Sequence, residues 1–242
     1  SVIAFTGIIL IQIDKIVLSR LINLPDFGYY AIGSVVGTSL AYIAGPVFNA
    51  VFPRFSSLVV RNELEALTLL YHRATQFLAI ILLPIALSLA FFGEDIMFLW
   101  TGDIVVAQRT SQIVTLLAIG SAMNGLMTMP YALQLASGWT SLGVRINTLL
   151  VFLAVPLAIL LGSMYGGVGA ASVWIITNAI YMIIGVRATH RKFMPGETQK
   201  WLLTDITGPL LASLTIAFLG FKLTTPSGIR NLDIIRILLI LI

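Results

Sequence analysis

Cysteine is absent from the 242 residues, which excludes a disulfide framework, a thiolate nucleophile and any Cys-based metal site. Histidine occurs only at positions 72 and 190. Both read as loop residues far apart in sequence, without metal-ligand spacing, so neither a metal nor another cofactor is expected. Charge is also scarce. Asp, Glu, Lys and Arg make up 10% of the chain, whereas a soluble domain carries about 25%. With 58% apolar residues and a mean hydropathy of +1.00, these few charges cannot clothe a water-facing surface. Lipid must be the main solvent. The net charge of +4 comes without a basic cluster interleaved with aromatics, which removes nucleic acid as a partner. No glycine-rich phosphate loop is present. Gly166-Gly167-Val168-Gly169 opens an apolar span and reads as a tight turn with close helix packing.

What is abundant is the long apolar run. Such runs, separated by short polar loops, predict an all-α polytopic transmembrane bundle of about eight spans at 1–22, 27–50, 74–92, 110–135, 146–162, 167–186, 202–220 and 234–242, the last incomplete. A membrane barrel needs alternating polar and apolar residues, and Phe77–Phe92 and Leu149–Leu161 are apolar on every face. Ser1 is no initiator residue, and the chain is expected to be a piece that starts in one span and stops within another. Placing loops 51–73, 137–145 and 187–201 on one side collects eight of the fourteen Lys and Arg residues, which assigns that side to the cytoplasm. Within it, residues 53–73 read as an interfacial helix, with Asn62 and Glu65 as its N-terminal cap and Val60, Leu64, Leu67 and Tyr71 as its apolar stripe.

Small residues and prolines mark packing and bending. Gly33, Gly37, Ala41 and Gly45 recur every four residues, a spacing that lets two backbones approach in lipid. Pro46, Pro84, Pro130 and Pro156 fall in or near consecutive spans and are candidate kinks. Ionisable groups inside a span are the functional lead, because each costs about 2.5–3.5 kcal/mol at a helix centre on insertion scales. Gln12, Lys15 and Ser19 form one polar stripe, and Asp14 points about 100° away from it. Two roles are open to Lys15 and Asp14: lining a cavity, or anchoring the span at the interface. Asn49 and Arg54 flank the other end of the second span. Arg54 has the fork to meet a phosphate at a cavity mouth, and equally suits a positive-inside anchor. Asn124, Gln134, Asn147 and Asn178 are expected to hydrogen-bond between helices. No catalytic residue is assigned. Glu94, Asp95 and Asp103 form the only acidic cluster, and solvated acids beside an interfacial Trp100 are the simpler reading than a catalytic pair.

The order of these features resembles a known family. Gln12-x-Asp14-Lys15-Ile16-Val17-Leu18-Ser19, Phe27-Gly28-Tyr29-Tyr30, Phe52-Pro53-Arg54-Phe55-Ser56, Leu83-Pro84-Ile85, Leu99-Trp100-Thr101-Gly102-Asp103 and Pro130-Tyr131-Ala132-Leu133-Gln134-Leu135-Ala136-x-Gly138 together look like bacterial polysaccharide flippases of the multidrug/oligosaccharidyl-lipid/polysaccharide exporter superfamily. The resemblance covers roughly residues 10–186. It implies that 1–186 is the C-terminal six-helix lobe of a two-lobe transporter and 187–242 a truncated additional helix pair. It also implies a missing N-terminal lobe of the same chain, a place in the bacterial inner membrane, and polysaccharide polymerase machinery as a neighbour. The implied activity carries undecaprenyl-diphosphate-linked oligosaccharide repeats between leaflets by alternating access, without covalent chemistry. Asp14 and Lys15 then belong to substrate or ion coupling, with Gln12, Ser19, Asn49 and Arg54 as further cavity candidates. The alternatives are a cation-coupled drug exporter of the same superfamily, for which acidic cavity groups are expected, and a membrane glycosyltransferase or ligase, for which catalytic acids in a long outer loop are expected.

Overall fold

A computed structural model describes residues 2–223, with side chains from Gln12 to Lys222. The described residues form helices and no strand, as the apolar runs predict. In order these are α1 (Val2–Leu21), α2 (Leu24–Gly37), α3 (Ala41–Val60), α4 (Leu64–Phe91), α5 (Gly93–Thr101), α6 (Ile104–Leu126), α7 (Thr128–Ala136), α8 (Thr140–Phe193) and α9 (Glu197–Lys200). A π-helical segment, Trp201–Thr207, then leads into α10 (Gly208–Leu223). Five stretches among the described residues are long and apolar enough to cross a membrane, fewer than the eight expected. The expected spans 146–162 and 167–186 fall in the single run Thr140–Phe193, whose helix is interrupted at Gly166 by a backbone turn of φ 58° and ψ −135°. The expected final span, 234–242, lies outside the described residues.

The architecture follows from which helix carries the small residues. α6 is the hub, packing against α2, α4 and α8. A Cβ added at Gly120 would stand 2.5 Å from Trp174 Cδ1, and one at Gly125 would stand 2.5 Å from Leu82 Cδ1. Association in lipid relies on close packing, and α6 alternates Ala, Gly and Ser where its neighbours are bulky. The expected glycine face is met in half of its length. At Gly37 a Cβ would lie 2.6 Å from Leu117 Cβ, and at Gly33 3.2 Å from Ile113 Cγ2, so α2 rides directly on α6. The stripe does not continue, because the helix breaks at Thr38–Leu40 and leaves Ala41 and Gly45 exposed.

Three boundaries differ from the sequence expectation for local reasons. The segment 53–73 is not one interfacial helix. α3 runs on to Val60 and α4 starts at Leu64. Asn62 caps no helix start; it adopts φ 56° after α3. The amides of Glu63 and Asn62 return to the carbonyls of Leu58 and Val59 at 3.0 and 3.1 Å, the left-handed closure that ends a helix. α8 continues to Phe193 rather than stopping at 186, since Val186, Thr189 and His190 are buried while Arg187, Arg191 and Lys192 are exposed. Pro130 sits in the first turn of α7, where a missing N–H costs nothing. Pro84 and Pro156, with Pro46 and Pro53, lie inside helices.

At one end of the bundle lie the turns 61–63, 137–139 and 194–196, joined by contacts between Trp139 and Phe193 and between Tyr71 and His190. This basic end is the one that charge bias assigns to the cytoplasm. At the opposite end Leu18 and Leu21 of α1 pack on Gly162, and Tyr30 packs on Gly167, beside the Gly166 turn. α4 is 28 residues long, about 42 Å at 1.5 Å per residue. It therefore exceeds the roughly 30 Å hydrocarbon core, and its first turns project at the basic end.

Candidate functional site

The polar groups of α1 divide between two faces. Gln12 and Ser19 are exposed and Lys15 is half-buried on a side that no other helix among the described residues covers completely. The Ser19 hydroxyl donates to the carbonyl of Ile16 at 2.9 Å, so it is satisfied within its own helix. Asp14 turns inward instead. Its Oδ2 accepts a short hydrogen bond from the Tyr30 hydroxyl of α2, and Tyr30 is fully buried with Leu18 and Ile113. Asp14 Oδ1 is buried without a geometrically sound hydrogen bond among the described residues. Asp14 and Lys15 thus sit one residue apart, one drawn into the helix packing and the other left towards open space.

Asn49 and Arg54 lie on an exposed face of α3, alongside Pro46, Ala50 and Pro53. α3 packs on α4 and α7, while α1 packs on α8 and α2. The six sequence-predicted cavity residues are therefore held on two separate helices, and the structure does not bring them into one cluster. Of the uncharged polar residues expected to bond between helices, Asn124, Gln134 and Asn178 do so. Asn124 Nδ2 donates to Asn178 Oδ1 at 2.7 Å, and Gln134 Nε2 donates to Thr189 Oγ1 at 2.7 Å. The acidic cluster has structural duties. Asp103 Oδ1 accepts from the amides of Val105 and Val106 at the start of α6, and Glu94 and Asp95 occupy the first turn of α5, where the helix dipole favours negative charge. Glu94 also borders an open cavity of about 560 Å³ with Gln112, Thr115 and Ser172.

Sequence reasoning missed the most densely bonded polar site. His72 and His190 are not loop residues; both are buried in helices, at 4% and 0% exposure. His72 Nδ1 meets Asp205 Oδ2 at 2.5 Å, and its Nε2 meets Glu197 Oε2 at 2.9 Å. Gln76 Nε2 donates to Asp205 Oδ1 at 2.9 Å. Beside them Tyr71 Oη lies 2.7 Å from His190 Nε2, and His190 Nδ1 lies 3.1 Å from Thr198 Oγ1. The carboxylates approach His72 from opposite edges of the ring, so they do not converge on a point where a metal could sit. Among the described residues no group of three or more His, Asp or Glu side chains is arranged to hold a metal ion. The legible signal was Asp205, an acid within an otherwise apolar run, which requires a partner. Its partner lies 133 positions away, beyond the reach of any local pattern.

With the geometry in place, comparison with known proteins adds one match. The family model described as a polysaccharide biosynthesis protein matches residues 2–104. Over this segment the chain is similar to that family. The matched residues hold α1 to α5 and with them Gln12, Asp14, Lys15, Ser19, Asn49 and Arg54. The match agrees with the flippase-type resemblance, whose motifs from Gln12 to Asp103 lie within it. No curated protein and no solved structure matches the chain. Beside this match stand five stretches long and apolar enough to cross a membrane, as a multi-pass membrane protein has.

Proposed function

We propose that the chain is the C-terminal part of a flippase that moves undecaprenyl-diphosphate-linked oligosaccharide repeats from the inner to the outer leaflet of a bacterial inner membrane. The observation that carries this reading is the α1 pair, set in the segment that matches the polysaccharide family: a half-buried lysine facing open space beside an aspartate fastened to α2. A diphosphate headgroup is anionic, and a basic group in a partly dehydrated cavity attracts it far more strongly than in water. Arg54, on the exposed face of α3, is a second cation for the same headgroup, with a bidentate fork suited to phosphate. The helices up to the end of α8 at Phe193 serve as one lobe, and α9 and α10 belong to the part that follows it. The missing lobe supplies the other wall, and polymerase machinery takes the product. No bond is made or broken, so the chain is a carrier and not an enzyme.

The test uses the full-length protein in a strain whose surface polysaccharide depends on it. Lys15→Ala is expected to abolish surface polysaccharide while leaving protein abundance unchanged, and Lys15→Arg to retain part of the export. Asp14→Asn keeps an acceptor for Tyr30 but removes the charge, and is expected to lower export without lowering abundance. Normal export by Lys15→Ala would make Lys15 an interfacial anchor and move the cationic site to Arg54 or the other lobe.

A further inference from the structure

The two ends of α10 and its leading segment are fastened to α4 by opposite chemistries. At the far end the joint is aromatic: Phe221 packs on Phe91 and Phe92 with ring centroids 5.8 and 6.0 Å apart. At the basic end it is made of titratable groups, with His72 held between Asp205 and Glu197. Burying charged groups is costly, and replacing a buried ion pair by apolar residues is often neutral or stabilising. A joint needed only for adhesion has no use for three such groups when aromatic contacts serve 20 residues away in the same fold.

From this contrast we infer that the His72–Asp205–Glu197 cluster is a proton-dependent latch. It docks the segment 197–207 on α4 when it holds a proton, and releases the segment when that proton leaves. The hydrogen-bond inventory gives the sign. An ionised carboxylate only accepts, so with a carboxylate on each ring nitrogen the docked arrangement needs a hydrogen in both contacts. A neutral imidazole supplies one. Loss of the second hydrogen leaves a ring lone pair against a carboxylate oxygen, 2.5 Å away at Asp205 or 2.9 Å away at Glu197. Raising the pH at this end therefore weakens docking.

The surroundings bear on this balance from every packed element. From α4 the neighbours are Tyr71, whose ring meets His72 edge-on at 5.5 Å, and the neutral Gln76. From α8 comes His190, behind Tyr71, and α3 offers only the uncharged Phe55 to Tyr71. In α9, Lys200 stands 3.8 Å from Glu197, able to hold that carboxylate once His72 lets go. Asp205 has no such alternative cation among the described ion pairs. The π-helical turn fits a latch as well. Trp201, Asp205 and Ile206 point into the protein from it while Leu202, Leu203 and Thr204 are exposed. π-helical turns are uncommon and recur at functional sites. Because Tyr71 ties α4 to α8 through His190, and His190 reaches Thr198, release loosens three helices together at one end. On the reading of the chain as a transporter, this is the end that must open and close.

Spin labels at Arg73 and Gln199, both exposed and outside the cluster, report docking directly in the full-length protein in lipid nanodiscs. A single short distance is expected at low pH. A longer population should grow as pH rises, its ratio to the docked form increasing by up to about tenfold per pH unit, the limit for one released proton. The triple variant His72→Leu, Glu197→Gln, Asp205→Leu is expected to stay docked at every pH. His72→Leu alone, which takes the ring hydrogens from both carboxylates and leaves them against an apolar side chain, should give the long distance where wild type is docked. A wild-type distance that ignores pH, or a triple variant that still responds, overturns the latch. The distance needs no substrate, so absent transport in all samples would count against the proposed carrier and not against the latch.

Discussion

Asp14 shows at the scale of one residue how a charge in an apolar helix is tolerated. Its Oδ2 accepts from Tyr30, a side chain with no exposed surface, so the carboxylate is tied to the packing of α1 on α2. A hydrogen bond to a charged group contributes about 1.5–3 kcal/mol net. Tyr30→Phe keeps the ring and removes that donor. It is therefore expected to lower the unfolding midpoint of the detergent-solubilised protein, by roughly 1–3 kcal/mol of stability. Asp14→Asn, still able to accept from Tyr30, should be milder. If the two variants melt together with the wild type, Asp14 is not held through Tyr30. This comparison also separates structure from transport, since a fall in export without a fall in stability belongs to the charge.

Among elements, α2 and α6 make the sharpest test of packing. At Gly37 the obstacle to a side chain is Leu117 Cβ at 2.6 Å and the Val114 carbonyl at 3.2 Å, neither of which swings aside. At Gly28 nothing lies within 4 Å. Overpacking a tight contact costs about 1–3 kcal/mol and occasionally more, whereas Gly→Ala in an open helical position gains about 0.5–1 kcal/mol. Gly37→Leu is thus expected to cut the amount of folded protein recovered from membranes, and Gly28→Ala to leave it level or raised. The turn inside α8 behaves likewise. A Cβ at Gly169 would lie 1.9 Å from the carbonyl oxygen of Leu161, so Gly169→Ala must push two backbones apart and should lose folded protein as severely as Gly37→Leu. Equal recovery of Gly169→Ala and wild type would show that the two halves of α8 do not approach as closely as described.

For the whole molecule the prediction concerns sidedness. The basic turns fall at one end of the bundle, and Lys and Arg near short loops are retained on the cytoplasmic side. Single cysteines at Glu65 and Gln199, exposed at that end, are expected to react only with reagents that enter the cell. A cysteine at Ile104, exposed at the opposite end, should be labelled by an impermeant reagent from outside. Labelling of Glu65 and Ile104 positions from one side would mean that α4 does not cross. The division between α8 and the following segment belongs to this scale too, because residues 197–223 return along α4 rather than along their neighbour in sequence.

The class of protein was readable from composition, because few charges and long apolar runs leave lipid as the only workable solvent. Helices were readable for the same reason, since in lipid each segment must satisfy its own backbone. Gly33 and Gly37, the interhelical role of Asn124 and Gln134, and the turn at Gly166 were visible as well, each being a local departure from a bulky apolar background. What sequence could not decide was pairing. Gln12, Lys15 and Ser19 share a face by helical period, but only the packing of α2 draws Asp14 to Tyr30. His72 passed for a loop residue because the helix bearing it outruns the membrane core, and hydropathy registers the core alone. That His72 should meet Asp205 and Glu197 is set by α10 folding back on α4, a contact between positions 133 and 125 residues apart. Hydrophobic period fixes which face a residue takes; which residue lies opposite depends on how the helices are stacked.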